Sequence, residues 1–258
     1  MKVYGTSGTP VVLLPGGAAP CEGFFPGLME GLVADPGCRV VVHDRPGTGS
    51  AGPGDLAGAT AHLHGLVQEL GMGPVVAVGQ SLGGAVATLW ARDHPDDLAG
   101  IVLLDATPIN DPRLCAVIEG QMRVFGPLGR VPVLGAGLDG LFHRLGRRQM
   151  DHLRLPAEVQ SGVEPLLEGG LAQLGAATRG LRSLSLGLQE ADLPLLPAAV
   201  VTAERRAGAA ITQAHERLAT AFGTSLTSWP GATHTVHLDH APHVLGVVRD
   251  VVGRIDLA

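Results

Sequence analysis

Ser81 is the residue of this chain best equipped by its neighbours to act as a nucleophile. The run Val75-Val76-Ala77-Val78 leads into Gly79-Gln80-Ser81-Leu82-Gly83, and an apolar helical pattern follows from Ala85. An apolar, β-branched run that stops at Gly-x-Ser-x-Gly reads as a strand, a sharp turn and a helix, with the serine hydroxyl presented above a sheet. Glycines flank the serine because a Cβ at either position would crowd the turn. The helix that follows aims free N–H groups and its positive dipole end at the same spot, where negative charge can be stabilised. Leu82, directly after the serine, supplies one such N–H for an oxyanion hole. A serine hydroxyl is a poor nucleophile near neutral pH unless a base removes its proton during attack. Histidines able to do so cluster late in the chain, at His234, His237, His240 and His243. Their three-residue repeat also admits a metal reading. Carboxylate or thiolate ligands with matching spacing are lacking, however, and Pro242 breaks a uniform helical face, so no metal site is expected.

The elements that must position these groups alternate between strand and helix. Short apolar strands are expected at Val11–Leu14, Arg39–His43, Pro74–Val78 and Gly100–Leu104, with helices at Phe24–Ala34, Leu56–Leu70 and Leu82–Asp93 between and after them. Continuous apolar strands separated by helices imply a parallel sheet covered on both faces. From Thr107 to Asp192 the pattern changes to loosely amphipathic helical stretches without a convincing strand. Strand Ala198–Thr202, helix Ile211–Phe222, strand Ser225–Trp229 and a last helix near Pro242–Arg254 then complete the series. The expected class is α/β: a mostly parallel, doubly wound sheet built from 1–106 and 193–258, with 107–192 inserted as a helical cap.

Composition narrows the partners. With 258 residues, one compact domain with an insertion is expected, and 3% aromatics leaves Leu, Val and Ala to fill the core. A net charge of −6 without a long basic run argues against nucleic-acid binding. Cys21, Cys38 and Cys115 are odd in number and lack metal spacing, which suits a reduced, cytoplasmic protein. No stretch approaches the ~20 apolar residues needed to span a bilayer, and MKVYGTSGTP lacks the apolar core of a signal peptide. Asp44-Arg45-Pro46-Gly47-Thr48-Gly49 lacks the Lys-Ser/Thr ending of a phosphate loop and reads as a structural turn. His62 and His64 fall on opposite faces of one helix. Cys21 reads as a buried thiol. Arg144, Arg147, Arg148 and Arg154 read as a solvated face of the cap, with contact to an anionic substrate as the alternative.

Five segments in order resemble the α/β-hydrolase superfamily. They are VVLLPGG at 11–17, HDRPGTGSAG at 43–52, GQSLGG at 79–84, AGIVLLDATP at 99–108 and PGATHTVHLDHAP at 230–242. They match, in turn, the strand and oxyanion loop, an Asp-Arg-x-Gly turn, the nucleophile elbow, the strand before the cap, and the segment with the late catalytic histidine. Two departures stand out. The usual His-Gly of the oxyanion loop is Pro15-Gly16 here, and the chain begins almost at the third family strand, so a sheet shortened at its N-terminal edge is expected, with a remnant near Lys2–Tyr4.

The resemblance implies Ser81 as nucleophile and His234, at the family's Gly-His position, as base. His237 then provides packing or polar support, and His240 and His243 take surface or capping roles. The acid that orients the base commonly follows the strand Ala198–Thr202, where this chain has Ala203-Glu204-Arg205-Arg206. Arg205 or Arg206 stands where an aspartate is usual. Two candidates remain: Asp105, at the end of Gly100–Leu104, which is favoured, and Glu204, which lies very close to its strand end. Gly17 and Leu82 are the implied oxyanion donors. The implied activity is cleavage of an ester, thioester or lactone-type acyl bond in a small, apolar substrate, without cofactor. C–C bond hydrolysis or acyl transfer is within the superfamily's range, and a binding protein that has lost turnover is the rival from another class. Dehalogenases and epoxide hydrolases use an aspartate nucleophile, against which Ser81 argues. Oligomeric state is not legible.

Overall fold

The computed structural model of the chain describes residues 1–52, 54–128 and 171–255. Arg144, Arg147, Arg148 and Arg154 lie outside the described residues. Seven strands form one sheet in the order β1-β3-β2-β4-β5-β6-β7. They are β1 Lys2–Tyr4, β2 Pro10–Leu14, β3 Arg39–Val42, β4 Val75–Gln80, β5 Leu98–Leu104, β6 Ala198–Thr202 and β7 Leu226–Ser228. Only β1 runs antiparallel, on β3; the other pairings are parallel. The N-terminal edge is therefore a three-residue strand, as the pattern suggested. β2 and β4 are buried along their full length because helices cover both faces, which is why they read as unbroken apolar runs and not as alternation.

Two apolar clusters, one per face, make this a doubly wound sheet. One packs α2 (Ala59–Leu70), α3 (Leu82–Asp93) and α7 (Ala210–Ala221) against Val12, Leu14, Val75, Ala77, Ile101 and Leu103. The other packs α1 (Leu28–Ala34) and α9 (Ala241–Ile255) against the alternate residues Val11, Leu13, Val76, Val78, Val102 and Leu104. Each fully buried Val or Leu contributes about 1.5–3 kcal/mol relative to exposure. Trp90, the largest buried side chain, donates its indole N–H to Asp97 at 2.8 Å, which satisfies the one polar atom it takes inside.

Most expected elements occur with small changes of boundary. The first helix is shorter, beginning at Leu28, because Gly27 is left-handed (φ 73°) directly after Pro26. Between β5 and β6 the described chain holds α4 (Pro112–Leu128), α5 (Leu171–Ala177) and α6 (Leu181–Leu186), and no strand. α4 packs on α5 and α6. Its Glu119 carboxylate accepts the N–H groups of Gly180 and Arg182 at 3.2 and 2.9 Å, giving the orphan donors at the start of α6 an anionic partner. No described helix is long and apolar enough to cross a membrane.

The chain reverses direction across the sheet around β2, with β3 on one side and β4 on the other, so the loops after β2 and β4 diverge and leave a crevice at the carboxyl ends of the strands. Register sets what faces it. Leu14 pairs with Gly79, Gln80 with Leu104, and Leu104 with Val201. Pro15–Gly17, Ser81, Asp105 and the loop after Thr202 therefore emerge side by side at one edge.

Candidate active site

Ser81 occupies the turn between β4 and α3 with φ 49° and ψ −118°. Ser81 and Asp105 (φ 42°) are the non-glycine residues with positive φ among the described residues. Strain of this kind persists only where the surroundings over-determine it. Here the Ser81 N–H donates to the Leu104 carbonyl at 3.1 Å, and its carbonyl accepts from Thr107, Gly84 and Ala85 at 2.8, 3.0 and 3.2 Å. A Cβ on Gly79 would sit 2.5 Å from the Gly83 carbonyl oxygen, and one on Gly83 would run into the carbonyls of Leu14 and Pro15. Both flanking glycines are thus dictated by backbone that cannot retreat.

The hydroxyl so presented lies 3.0 Å from His234 Nε2, and His234 Nδ1 lies 2.6 Å from Asp105 Oδ2. An ionised carboxylate only accepts, so Nδ1 carries the proton and Nε2 is left to accept from the serine. The Asp105 N–H donates to Val201 at 2.7 Å, holding the residue across the β5–β6 seam. The Gln80 side-chain amide donates to the His234 carbonyl at 2.8 Å, and Asp239 accepts the Thr233 N–H at 2.7 Å, fixing the histidine loop from both sides. Glu204 turns elsewhere: its carboxylate accepts the Gly231 N–H at 2.7 Å.

Asp105 is 1% exposed at its side chain and is densely solvated by protein. Oδ1 accepts from Ala203 N–H at 2.9 Å and Arg205 Nη1 at 2.7 Å, and Oδ2 accepts from Arg205 Nη2 at 2.6 Å as well as from His234. Burial alone would raise its pKa, but the bonds from His234, Arg205 and Ala203 outweigh it and hold the carboxyl far below the usual range. His215, fully buried on α7, completes the surroundings. Its Nε2 donates to the Ala106 carbonyl at 2.7 Å, and burial depresses its pKa and so favours the neutral ring. Nδ1 lies 2.9 Å from the Thr202 hydroxyl, which is also placed to donate to Asp105 Oδ1 at 3.3 Å. Arg205, Thr202, His215 and Gln80 were not singled out from sequence as parts of a site. The arginine in an acid's usual place was the one available signal.

Gly17 has φ 56° and lies on the loop after β2. A Cβ built on its neighbour Gly16 would be 3.1 Å from Ser81 Cβ, so this loop lies directly against the elbow. Neither the Gly17 nor the Leu82 N–H donates a hydrogen bond among the described residues, which leaves both available to an incoming oxygen. The Gly17 carbonyl accepts from Arg45 Nη2 at 3.2 Å, and Leu174 of α5 lies over the glycine. Arg45 is buried and its pKa is lowered by that burial to about 10. Asp44 braces the same region by accepting from Cys21 N–H and from both donors of Ser50, so this segment acts as a structural turn.

The remaining histidines take other places. His237 stacks on Phe24 with centroids 4.5 Å apart and planes at 6°, and burial, then the neighbouring His234, lowers its pKa to about 3. His240 and His243 pack about Trp229. His62 contacts His43, and His64 contacts Asp97. Among the described residues the group whose donors approach most like metal ligands is His64, His94 and Asp97, within 4.8 Å of one another. It lies at the opposite end of the strands from Ser81. The His64 and His94 rings are stacked at 9°, so their in-plane lone pairs do not converge, and Asp97 already accepts from His64 and Trp90. Cys21, Cys38 and Cys115 are buried and form no disulfide among the described residues.

The model of the alpha/beta hydrolase family matches residues 11–245. Lipase LipV of Mycobacterium tuberculosis is 38% identical over 73 residues, 28% of each chain. The 2-(acetamidomethylene)succinate hydrolase of Mesorhizobium japonicum is 29% identical over 128 residues, 47% of this chain and 44% of that one. The matches thus span less than half the length of these relatives. The crystal structure of a hydrolase from Pseudomonas aeruginosa PA01 superposes with a TM-score of 0.75 over 98% of this chain and 93% of its own, at 19% identity, which speaks to the fold alone.

Proposed function

This chain belongs to the alpha/beta hydrolase family, and on that premise we propose that it is a serine hydrolase that cleaves a carboxylic ester, thioester or lactone-type acyl bond. The observation that carries the reading is the continuous hydrogen-bonded line from Ser81 Oγ through His234 to Asp105, at 3.0 and 2.6 Å. Ser81 Oγ attacks the substrate carbonyl carbon while His234 Nε2 takes the hydroxyl proton. The carbonyl electron pair moves onto oxygen, and the resulting oxyanion is held by the N–H groups of Leu82 and Gly17. Asp105 keeps Nδ1 protonated and stabilises the imidazolium; it does not take the proton. Collapse of the tetrahedral intermediate breaks the bond to the leaving alcohol or thiol, which receives the proton from His234. Water then repeats the sequence on the acyl-enzyme, giving the acid and free Ser81.

A serine in the elbow weighs against the chemistry that needs a carboxylate nucleophile there. Residues 107–192 serve in this reading as a cap over the crevice, from which Leu174 already reaches Gly17. The substrate is a small, largely apolar acyl compound, and three cysteines without a disulfide among the described residues suit a reducing, cytoplasmic setting. No cofactor has a part in the scheme. Turnover of p-nitrophenyl esters of rising chain length, together with a thioester and a lactone, tests the proposal. Hydrolysis of at least one class by the wild type, abolished in Ser81→Ala, supports it. Failure on all of them favours a binding protein that has kept the fold.

A further inference from the structure

The loop after β6 carries a cation at the place where the family resemblance leads one to look for an acid. Arg205 Nη2 lies 2.6 Å from Asp105 Oδ2, the same oxygen that accepts from His234 Nδ1 at 2.6 Å. Arg205 Nη1 reaches Oδ1 at 2.7 Å and also donates to the Thr202 hydroxyl at 2.9 Å, so the guanidinium grips both carboxylate oxygens. The carboxylate that stabilises a protonated His234 is therefore shared with a permanent positive charge. A buried anion attracts the imidazolium, and a cation bonded to the same oxygen cancels part of that attraction.

The other groups around His234 leave Arg205 as the cation in its described surroundings. Ser81 and Gln80, from the β4–α3 turn, are uncharged. His215, from α7, lies 3.9 Å from Asp105 Oδ1 and is fully buried, which favours its neutral form. His237, from α8 (Val236–Asp239), is buried against Phe24 and Phe25. Asp239 and Glu204 are engaged with the N–H groups of Thr233 and Gly231. We propose that Arg205 is a positioning residue that also sets the basicity of His234: it fixes the orientation of Asp105 and, by neutralising part of its charge, keeps the imidazole unprotonated to lower pH than an unshared Asp–His pair would. For its effect on turnover this rests on the serine-hydrolase reading above, but the proton equilibrium of His234 can be followed without turnover.

The test is a side-chain 15N NMR titration of His234 in the unreacted protein, paired with the pH dependence of kcat/KM on a p-nitrophenyl ester. Arg205→Gln and Arg205→Ser remove the charge with two different side-chain sizes, and Arg205→Lys keeps it. Both neutral variants are expected to move the His234 midpoint, and the acid limb of kcat/KM, upward by about one pH unit. Arg205→Lys should stay within about 0.3 unit of wild type. A folded neutral variant whose midpoint stays with the wild type overturns the proposal, as does a shift of equal size in Arg205→Lys. Unfolding of both neutral variants also counts against it, because the ion pair is then a requirement of the fold and not a setting of the base. An NMR shift without ester turnover in any variant leaves this inference standing and removes the hydrolase reading; turnover without a shift does the reverse.

Discussion

Replacing Asp105 by Asn leaves the backbone and side-chain volume in place and changes only what the carboxylate oxygens can do. Both oxygens are surrounded by donors: Ala203 N–H and Arg205 Nη1 on Oδ1, Arg205 Nη2 and His234 Nδ1 on Oδ2. No orientation of an amide suits them. With its NH2 toward His234, the imidazole must present a bare Nδ1 and carry its proton on Nε2, where it can no longer accept from Ser81. With its NH2 toward Ala203, two donors face a third. The first orientation removes the base and the second leaves buried N–H groups unsatisfied, at about 1–3 kcal/mol of stability. Loss of the correct tautomer lowers kcat on the order of 10³–10⁴-fold, or about 4–5.5 kcal/mol at 1.36 kcal/mol per tenfold. Steady-state kinetics on a p-nitrophenyl ester, with thermal melts as the folding control, measure both. Glu204→Gln, whose carboxylate serves Gly231, should stay within about threefold of wild type. The reasoning is refuted if folded Asp105→Asn turns over within tenfold of wild type, or if Glu204→Gln shows the large loss in its place.

Gly83→Ala puts a methyl group into the carbonyl oxygens of Leu14 and Pro15, and backbone cannot yield as a side-chain tip does. It should cost about 3 kcal/mol or more, seen as a collapse of soluble yield or a large drop in Tm. Gln80→Ala removes the bond to the His234 carbonyl and should lower kcat by about tenfold with the fold retained, a loss that comes from misplacing the base. Acid should destabilise the protein through His237. Its pKa falls from 6.5 to about 3 on folding, so below pH 6.5 the unfolded chain binds the proton that the folded one refuses. That contribution is complete above pH 6.5 and is lost progressively as pH falls toward 3, reaching about 2 kcal/mol at pH 5. Urea melts at pH 7.5 and pH 5 check this, and equal midpoints would contradict it.

What the chain discloses in one dimension is what is decided locally. The turn at Ser81 is written in Gly79 and Gly83, each excluded from bearing a Cβ by backbone a few residues away or on the next strand, and the strands announce themselves because both faces are buried. The start of the first helix shifted to Leu28 because Pro26 and a left-handed Gly27 outweigh the apolar run before them. The choice between Asp105 and Glu204 could not be made from spacing. It depends on where the ends of β5 and β6 lie relative to His234, with partners 129 residues apart in the case of Asp105. The parts played by Arg205, Thr202 and His215 are hidden for the same reason, since each acquires its meaning only when β5, β6 and α7 meet. Gln80 occupies a variable position of a motif, and nothing in its neighbours foretells that it reaches residue 234.

Intact-protein mass spectrometry after exposure to a fluorophosphonate, with peptide mapping of the adduct, tests most directly whether the elbow hydroxyl is activated by its imidazole neighbour. The account predicts one adduct per chain, located on Ser81, absent from Ser81→Ala and formed far more slowly in His234→Ala. An unmodified wild-type protein, or an adduct that persists unchanged in Ser81→Ala, would contradict it.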